Sequence, residues 1–194
     1  MFHHAANADV ELRLLEIRDA EEVFALIVES RDYLREWLPW VDSTATVEDS
    51  RSFIQATLRQ FAAADGFQAG IWYRKQFAGV IGFHRINWAN RLTSIGYWLG
   101  ERFQGRGIMT DSCRALVNAA FERYGLNRVE IEVAVENRKS RAIPERLGFR
   151  NEGCRRQAEW LSDHFVDHII YGCLADDWKE QVGRNYGSAT ALAK

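Results

Sequence analysis

Along the chain, stretches in which apolar and polar residues alternate are separated by stretches in which apolar residues recur every three or four positions. Val10 to Glu16 reads as a strand, and Asp19 to Ser30 as a helix with Val23, Leu26 and Ile27 on its inner face. After a tryptophan-rich turn, Thr46 or Ser43 can cap a helix from Val47 to Ala64, on which Phe53, Ile54, Leu58 and Phe61 recur at helical spacing. The segments Phe67 to Tyr73, Phe77 to Ile86 and Leu92 to Leu99 predict consecutive strands of an antiparallel meander. Next comes a strongly periodic helix from Met109 to Tyr124. Arg128 to Val135 then alternates Val129, Ile131, Val133 and Val135 with Glu130 and Glu132, a strand pattern. Asn137 and Ser140 open a short helix that ends at Leu147-Gly148-Phe149, with Gly148 placed as the C-terminal cap. Glu152 to Ala158 and Phe165 to Leu174 return as the last strands, and the tail from Val182 to Lys194 reads as frayed.

Between the meander and its helix lies Arg102-Phe103-Gln104-Gly105-Arg106-Gly107. A strand that turns through glycines into a helix N-terminus presents unpaired N–H groups and the positive end of the helix dipole, which suits a pyrophosphate. Gly105 and Gly107 lack a Cβ, so the chain can take positive φ and approach a phosphate closely. The run has no Gly-Lys-Ser/Thr ending and does not read G-x-G-x-x-G, so neither a P-loop nor a dinucleotide fingerprint fits.

Together with the strand and short helix on its C-terminal side, this block resembles the GCN5-related N-acetyltransferases (GNAT), and within them the RimJ/RimL-like ribosomal-protein N-terminal acetyltransferases. The family's acetyl-CoA signature, Q/R-x-x-G-x-G/A, matches Arg102, Gly105 and Gly107, and its later N-x-x-S and L-G-F match Asn137, Ser140 and Leu147-Gly148-Phe149. Leu34-Arg35-Glu36-Trp37-Leu38-Pro39-Trp40 is similar to the tryptophan-rich segment near the N-terminus of that branch, and the resemblance runs from about Val10 to about Lys179. It implies an α/β (α+β) fold with a mixed, mostly antiparallel central sheet of about seven strands flanked by helices, and a splayed strand pair that holds the cofactor.

The activity implied is acetyl transfer from acetyl-CoA to a primary amine by direct attack in a ternary complex. A protein N-terminus, such as that of a ribosomal protein, is the favoured acceptor. A small-molecule amine (polyamine, amino sugar or antibiotic) is the alternative, and a CoA-binding regulatory module without turnover is a third reading. By the same resemblance, backbone N–H groups of Tyr97-Trp98-Leu99 polarise the thioester carbonyl, with Gly96 and Gly100 easing a local bulge. The cofactor-binding set is Tyr97, Trp98, Leu99, Arg102, Gln104, Gly105, Arg106, Gly107, Ile108, Met109, Asn137 and Ser140, with Lys139 and Arg141 also near the phosphates. Ser140 matches the family's N-x-x-S serine, whose hydroxyl could donate to the departing thiolate; other branches use a tyrosine later in this helix, and its absence from Ala142-Ile143-Pro144-Glu145 favours Ser140. Pro144, lacking an N–H, should leave the Ser140 carbonyl free toward the ligand; as the alternative, Asn137 and Ser140 merely cap the helix.

Glu159, at a strand end, is the candidate base, although a solvated carboxylate would look the same. Trp37, Pro39 and Trp40, with Tyr33, are candidates for the acceptor groove or for the core, and Glu36 and Asp42 beside them would favour a cationic acceptor.

Composition narrows the classes further. With 194 residues and 47% hydrophobic content, the chain can bury one sizeable core, and no Pro/Gly/Ser-rich stretch suggests a linker, so a single domain over residues 1–181 is expected. A net charge of −2 carries no basic footprint for nucleic acid. Cys113, Cys154 and Cys173 are odd in number with no C-x-x-C spacing and read as core thiols of a reducing compartment. The N-terminus, with His3 and His4, is not a signal peptide, and no apolar segment is long enough to span a bilayer, so the cytoplasm is expected. His164 and His168 invite a metal reading, but two pleats of a strand set them about 13 Å apart, too far for one ion, and no metal is expected. His84 reads as a polar strand end. The edge-rich final strands suggest a homodimer.

Overall fold

The alternating segments join into one eight-stranded sheet in the computed structural model, which describes residues 3–181. Its strands are β1 (His3–Ala5), β2 (Val10–Leu14), β3 (Phe67–Tyr73), β4 (Gln76–Asn87), β5 (Leu92–Leu99), β6 (Arg128–Ala134), β7 (Arg150–Leu161) and β8 (His164–Leu174), in spatial order β1-β2-β3-β4-β5-β6-β8-β7. All neighbours are antiparallel except β5 and β6. The strand beyond the expected seven is β1, whose three residues carry no readable period. The expected frayed tail from Val182 to Lys194 lies outside the described residues.

The helices are α1 (Ala20–Glu29), α2 (Arg31–Leu34), α3 (Val47–Ala62), α4 (Ile108–Asn118), α5 (Arg138–Arg146) and α6 over residues 175–181. Of the two residues expected to cap α3, Thr46 does so. Its hydroxyl accepts from Asp49 N–H at 3.3 Å while Asp49 Oδ2 accepts from Thr46 N–H at 2.8 Å, a reciprocal cap. The helix expected from Met109 to Tyr124 departs from α geometry at Ala119–Arg123, a π-helical turn. There Asn118 Oδ1 accepts from Trp178 Nε1 at 2.7 Å. Trp178, 6% exposed, is how α6 docks. No strand or helix was expected at 175–181, because Trp178 is the one large apolar residue in an otherwise charged and polar run.

Buried side chains from every strand except β1 and β7, together with Val23, Leu26, Ile54, Ile108 and Leu116 of the helices, form the core. Its order follows from the period: along β2 and β6 alternate residues are buried, whereas β4 is buried almost continuously from Phe77 to Phe83. β7, the sheet edge, is exposed from Arg150 to Gln157. The expectation of three core thiols is corrected there: Cys113 and Cys173 are buried, but Cys154 is exposed on β7. Among the described residues no helix is long and apolar enough to cross a membrane.

Candidate active site

The parallel strands β5 and β6 pair only over Leu92 with Arg128, Thr93 with Val129 and Ser94 with Glu130. Beyond Ser94 they diverge. The Gly100 N–H donates to Ala78 O at 2.8 Å, on the β4 side. Since successive peptide groups of a strand face opposite edges, Trp98 also faces β4, and Tyr97 and Leu99 present their N–H and C=O groups to the gap beside β6. The bulge expected at Gly96 and Gly100 lies elsewhere, since the register shifts between Phe83 and Ile86 of β4. Gly96 instead leaves room for the His84 ring, and a Cβ at Gly100 would meet the Leu26 side chain.

From this strand the chain runs through a 3-10 turn, Glu101–Phe103, into the glycine loop. Gly105 (φ +71°) and Gly107 (φ +76°) both take left-handed conformations, and among the described residues a Cβ on either would meet nothing within 4 Å. The positions therefore need glycine for their backbone conformation, not for packing against the protein. Gly107 is the N-cap of α4 and has no side chain with which to cap it, so the first-turn N–H groups remain available to a ligand.

A cavity of about 900 Å³ opens over this loop, lined by Gln104, Gly105, Arg106, Gly107, Ile108 and Met109, by Tyr97, Trp98 and Leu99, and by Asn137, Lys139 and Ser140. The Arg106 guanidinium donates to Arg102 O at 3.1 Å, and Lys139 Nζ to Gln104 Oε1 at 3.1 Å. Two expected cations lie outside the cavity. Arg102 pairs with Glu29 at 3.0 Å, and Arg141 donates to Tyr171 Oη at 3.0 Å and Val135 O at 2.9 Å. Two other arginines, Arg114 and Arg146, line it, the latter donating to Thr110 Oγ1 at 3.0 Å. Arg114 lies about two helical turns beyond Gly107 and so shares its face, a spacing visible in the sequence.

A second cavity of about 720 Å³ shares Trp37, Leu38, Tyr97, Trp98, Asn137 and Ser140 with the first and extends to Trp40, His84, Glu132, Glu159 and His168. At the junction Asn137 caps α5, accepting from Ser140 N–H at 3.1 Å. The Ser140 hydroxyl donates to Tyr97 Oη at 3.1 Å, and the Tyr97 hydroxyl donates to Ser140 O at 3.2 Å. Pro144 explains the second bond. Four residues after Ser140 it has no N–H to offer, and the carbonyl it leaves open is taken by Tyr97 rather than turned toward a ligand, which corrects the sequence-based expectation. Burial pushes the Tyr97 phenol well above its ordinary range, with Cys113 adding to the rise and the Ser140 bond opposing it.

The aromatic segment divides between the cavities. Trp37 lines both, and Trp40 and Pro39 line the second, Trp40 with its ring 6.0 Å from that of Trp98. Tyr33 lines the first cavity instead of the second, and burial raises its phenol against the hydrogen bond with Gln104. Arg31, which sequence reasoning passed over, braces the segment by donating to Val41 O and Thr44 O at 2.7 Å each. Glu36 is exposed and Asp42 pairs with Arg35 at 3.0 Å; the second cavity is lined by neither.

Register explains how the acidic wall forms. Ala134 lies opposite His168, and Glu132 is two residues away, so both share the face of His168. On the other side Arg155 pairs with His168 and Glu159 with Val166; four steps along β7 match two along β8. The extra length bulges at Gln157, whose N–H is held by Asp167 Oδ1 at 2.7 Å, and it keeps Glu159 on that same face. His168 Nε2 lies 3.2 Å from Glu159, while His164 is turned to Asp163 at the hairpin tip, 2.7 Å away. His84 is a member of the wall rather than the polar strand end expected. Its Nδ1 lies 3.3 Å from Ser94 Oγ, and enclosure by the cavity lowers its imidazole against the pull of Glu132. Among the described residues no group of three or more His, Cys, Asp and Glu side chains could hold a metal ion.

A glycine loop at a helix N-terminus, a splayed parallel pair and two cavities that meet between them define an acyl-transfer enzyme of one superfamily. The profile of the Acetyltransferase (GNAT) domain matches residues 9–150, and the chain belongs to that family and is an N-acetyltransferase. It is similar to the ribosomal-protein-serine acetyltransferase of Escherichia coli (strain K12), 32% identical over 172 residues, which cover 88% of this chain and 95% of that protein. Among solved structures, RimL, the ribosomal L7/L12 alpha-N-protein acetyltransferase in complex with coenzyme A, aligns with a TM-score of 0.87 at 29% identity, covering 91% of this chain and 99% of its own. The microcin C7 self immunity acetyltransferase MccE, in complex with acetyl-CoA and AMP, aligns with a TM-score of 0.84 at 32% identity, covering 87% and 94%.

Proposed function

We propose that this enzyme transfers the acetyl group of acetyl-CoA to the N-terminal α-amine of a protein, of the ribosomal-protein class named for its relatives. The observation that carries the reading is the meeting of the two cavities at Tyr97 and Ser140, beside an unpaired strand edge. In this reading the N–H groups of the Gly105 to Met109 turn, with Arg106 and Lys139, take the pyrophosphate. The peptide groups of Tyr97 and Leu99 pair with the pantetheine arm, and an N–H of that edge stabilises charge on the thioester oxygen. Glu159 removes one proton from the incoming ammonium, the amine nitrogen bonds to the acetyl carbon, and the carbon–sulfur bond breaks as the nitrogen gives up its second proton. The Ser140 hydroxyl turns from Tyr97 to give its proton to the sulfur and takes up the proton that leaves the nitrogen. Trp37 and Trp40 hold the acceptor chain. The reading includes a cytoplasmic site of action and a homodimer formed through the uncovered β7 edge.

The test is CoA release, followed with a thiol reagent, from acetyl-CoA and a panel of amines: short peptides opening on serine or alanine, polyamines, amino sugars and aminoglycosides. Release with peptides alone is expected. Release with small amines alone would establish the second reading, which the AMP-bound relative favours. Thermal stabilisation by acetyl-CoA with no release from any amine would leave a regulatory module.

A further inference from the structure

We propose that His168 is the positioning residue for Glu159, with Glu132 and Arg155 fixing the imidazole from behind; this rests on Glu159 being the base. Glu159 sits on the edge strand at a bulge, its side chain 33% exposed, where a carboxylate has few neighbours to keep it turned inward. His168 is on β8, paired on both sides by β6 and β7, and its ring is 14% exposed. Its Nε2 lies 3.2 Å from Glu159 Oε2, and its Nδ1 lies 3.9 Å from Glu132 Oε2. Glu132 is in turn held by Arg155 Nη1 at 2.7 Å. Three strands thus supply a row of four groups, Glu159, His168, Glu132 and Arg155, leading from the acceptor cavity to the exposed face of β7.

The contact with Glu159 has an informative geometry. Nε2 is shielded from solvent and within ion-pair distance, yet off the line of a straight N–H···O bond, and among the described residues it has no other hydrogen-bond partner. A buried ring nitrogen in that state is costly, and a small rotation of the Glu159 carboxylate completes the bond. Catalytic hydrogen bonds that are poorly aligned in the free enzyme tighten when substrate enters. A purely space-filling role would be served better by an apolar side chain than by an imidazole between two carboxylates.

The test compares His168→Ala, His168→Gln, Glu159→Gln and the double variant His168→Ala/Glu159→Gln, with acetyl-CoA and a serine-opening peptide. His168→Ala should lower kcat by about 10²-fold, the scale of a misplaced catalytic group, with KM for acetyl-CoA changed less than about twofold. His168→Gln, which can still place an N–H near Glu159, should recover at least about tenfold of that loss. In the Glu159→Gln background, His168→Ala should cost less than about a further twofold. An undiminished penalty in that background, or a His168→Ala enzyme within about twofold of wild type, overturns the inference. If Glu159→Gln alone is fully active, it is the assignment of the base that has failed, and a chain that releases CoA with no amine loses both. Should His168→Ala not fold, His168→Gln alone and in the Glu159→Gln background gives the same comparison.

Discussion

Replacing Tyr97 by phenylalanine removes one oxygen that serves two bonds, and the cost depends on a residue it does not touch. In wild type the Tyr97 hydroxyl accepts from Ser140 Oγ at 3.1 Å and donates to the Ser140 carbonyl at 3.2 Å, a carbonyl left open by Pro144. A hydrogen bond contributes about 0.5–1.5 kcal/mol net, and orphaning a half-buried carbonyl costs about 1–3 kcal/mol, so Tyr97→Phe should cost about 2 kcal/mol. Pro144→Ala restores an N–H four residues after Ser140, which gives the carbonyl a helical partner. In that background Tyr97→Phe should cost about 1 kcal/mol or less, a coupling of about 1 kcal/mol. Urea unfolding of the four proteins measures the cycle; in a chain of 194 residues each kcal/mol also moves Tm by about 2–4 °C. If Tyr97→Phe costs the same in both backgrounds within about 0.5 kcal/mol, Tyr97 is not the substitute for the missing helical donor.

The Tyr97 phenol gives a second, pH-dependent signature. Its folded value is raised, so the stability it supplies is complete below the ordinary tyrosine value of 10.0 and is lost as pH rises from there toward the folded value. The unfolding free energy of wild type should therefore fall more steeply above that pH than that of Tyr97→Phe, and parallel curves would contradict the assignment. Gly107→Ala puts a side chain on a φ of +76°, which costs about 1–2 kcal/mol of stability. Its Cβ would enter open space beside the cavity, so in the proposed reading KM for acetyl-CoA should rise about tenfold or more with a smaller change in kcat, and an unchanged KM would remove the loop from the donor site. Trp178→Ala empties a buried site and frees Asn118, and should cost about 3–5 kcal/mol by calorimetry; a loss below about 1 kcal/mol would mean that α6 is not docked.

Where local pattern decided the outcome, the sequence was readable. The alternation in β6 and the glycine loop before α4 follow from spacing alone, because each buries or exposes groups by a period that neighbours along the chain share; the stripe expected on α3 holds only in part, since Phe53 and Phe61 are exposed while Ser50 and Thr57 are buried beside Ile54. The features that were not readable depend on long-range register. Nothing near Glu159 in sequence says that a bulge at Gln157 keeps it beside His168, or that Glu132 of β6 closes the row. Arg102 and Arg141 sit where the motif leads one to expect phosphate contacts, but Glu29 and Tyr171, from distant segments, draw them away. Tyr97 was assigned through its backbone, and its hydroxyl went unnoticed because Ser140 lies on a helix more than forty residues later.

The two cavities meet at a junction and otherwise have different linings. In the proposed reading the acyl donor and the amine occupy different cavities, so neither spent product has to depart before the other substrate enters. Initial-rate lines should therefore intersect rather than run parallel. Free CoA should compete with acetyl-CoA and leave the amine able to bind. A cell rich in CoA would slow such an enzyme by filling one cavity while the other can still take its amine.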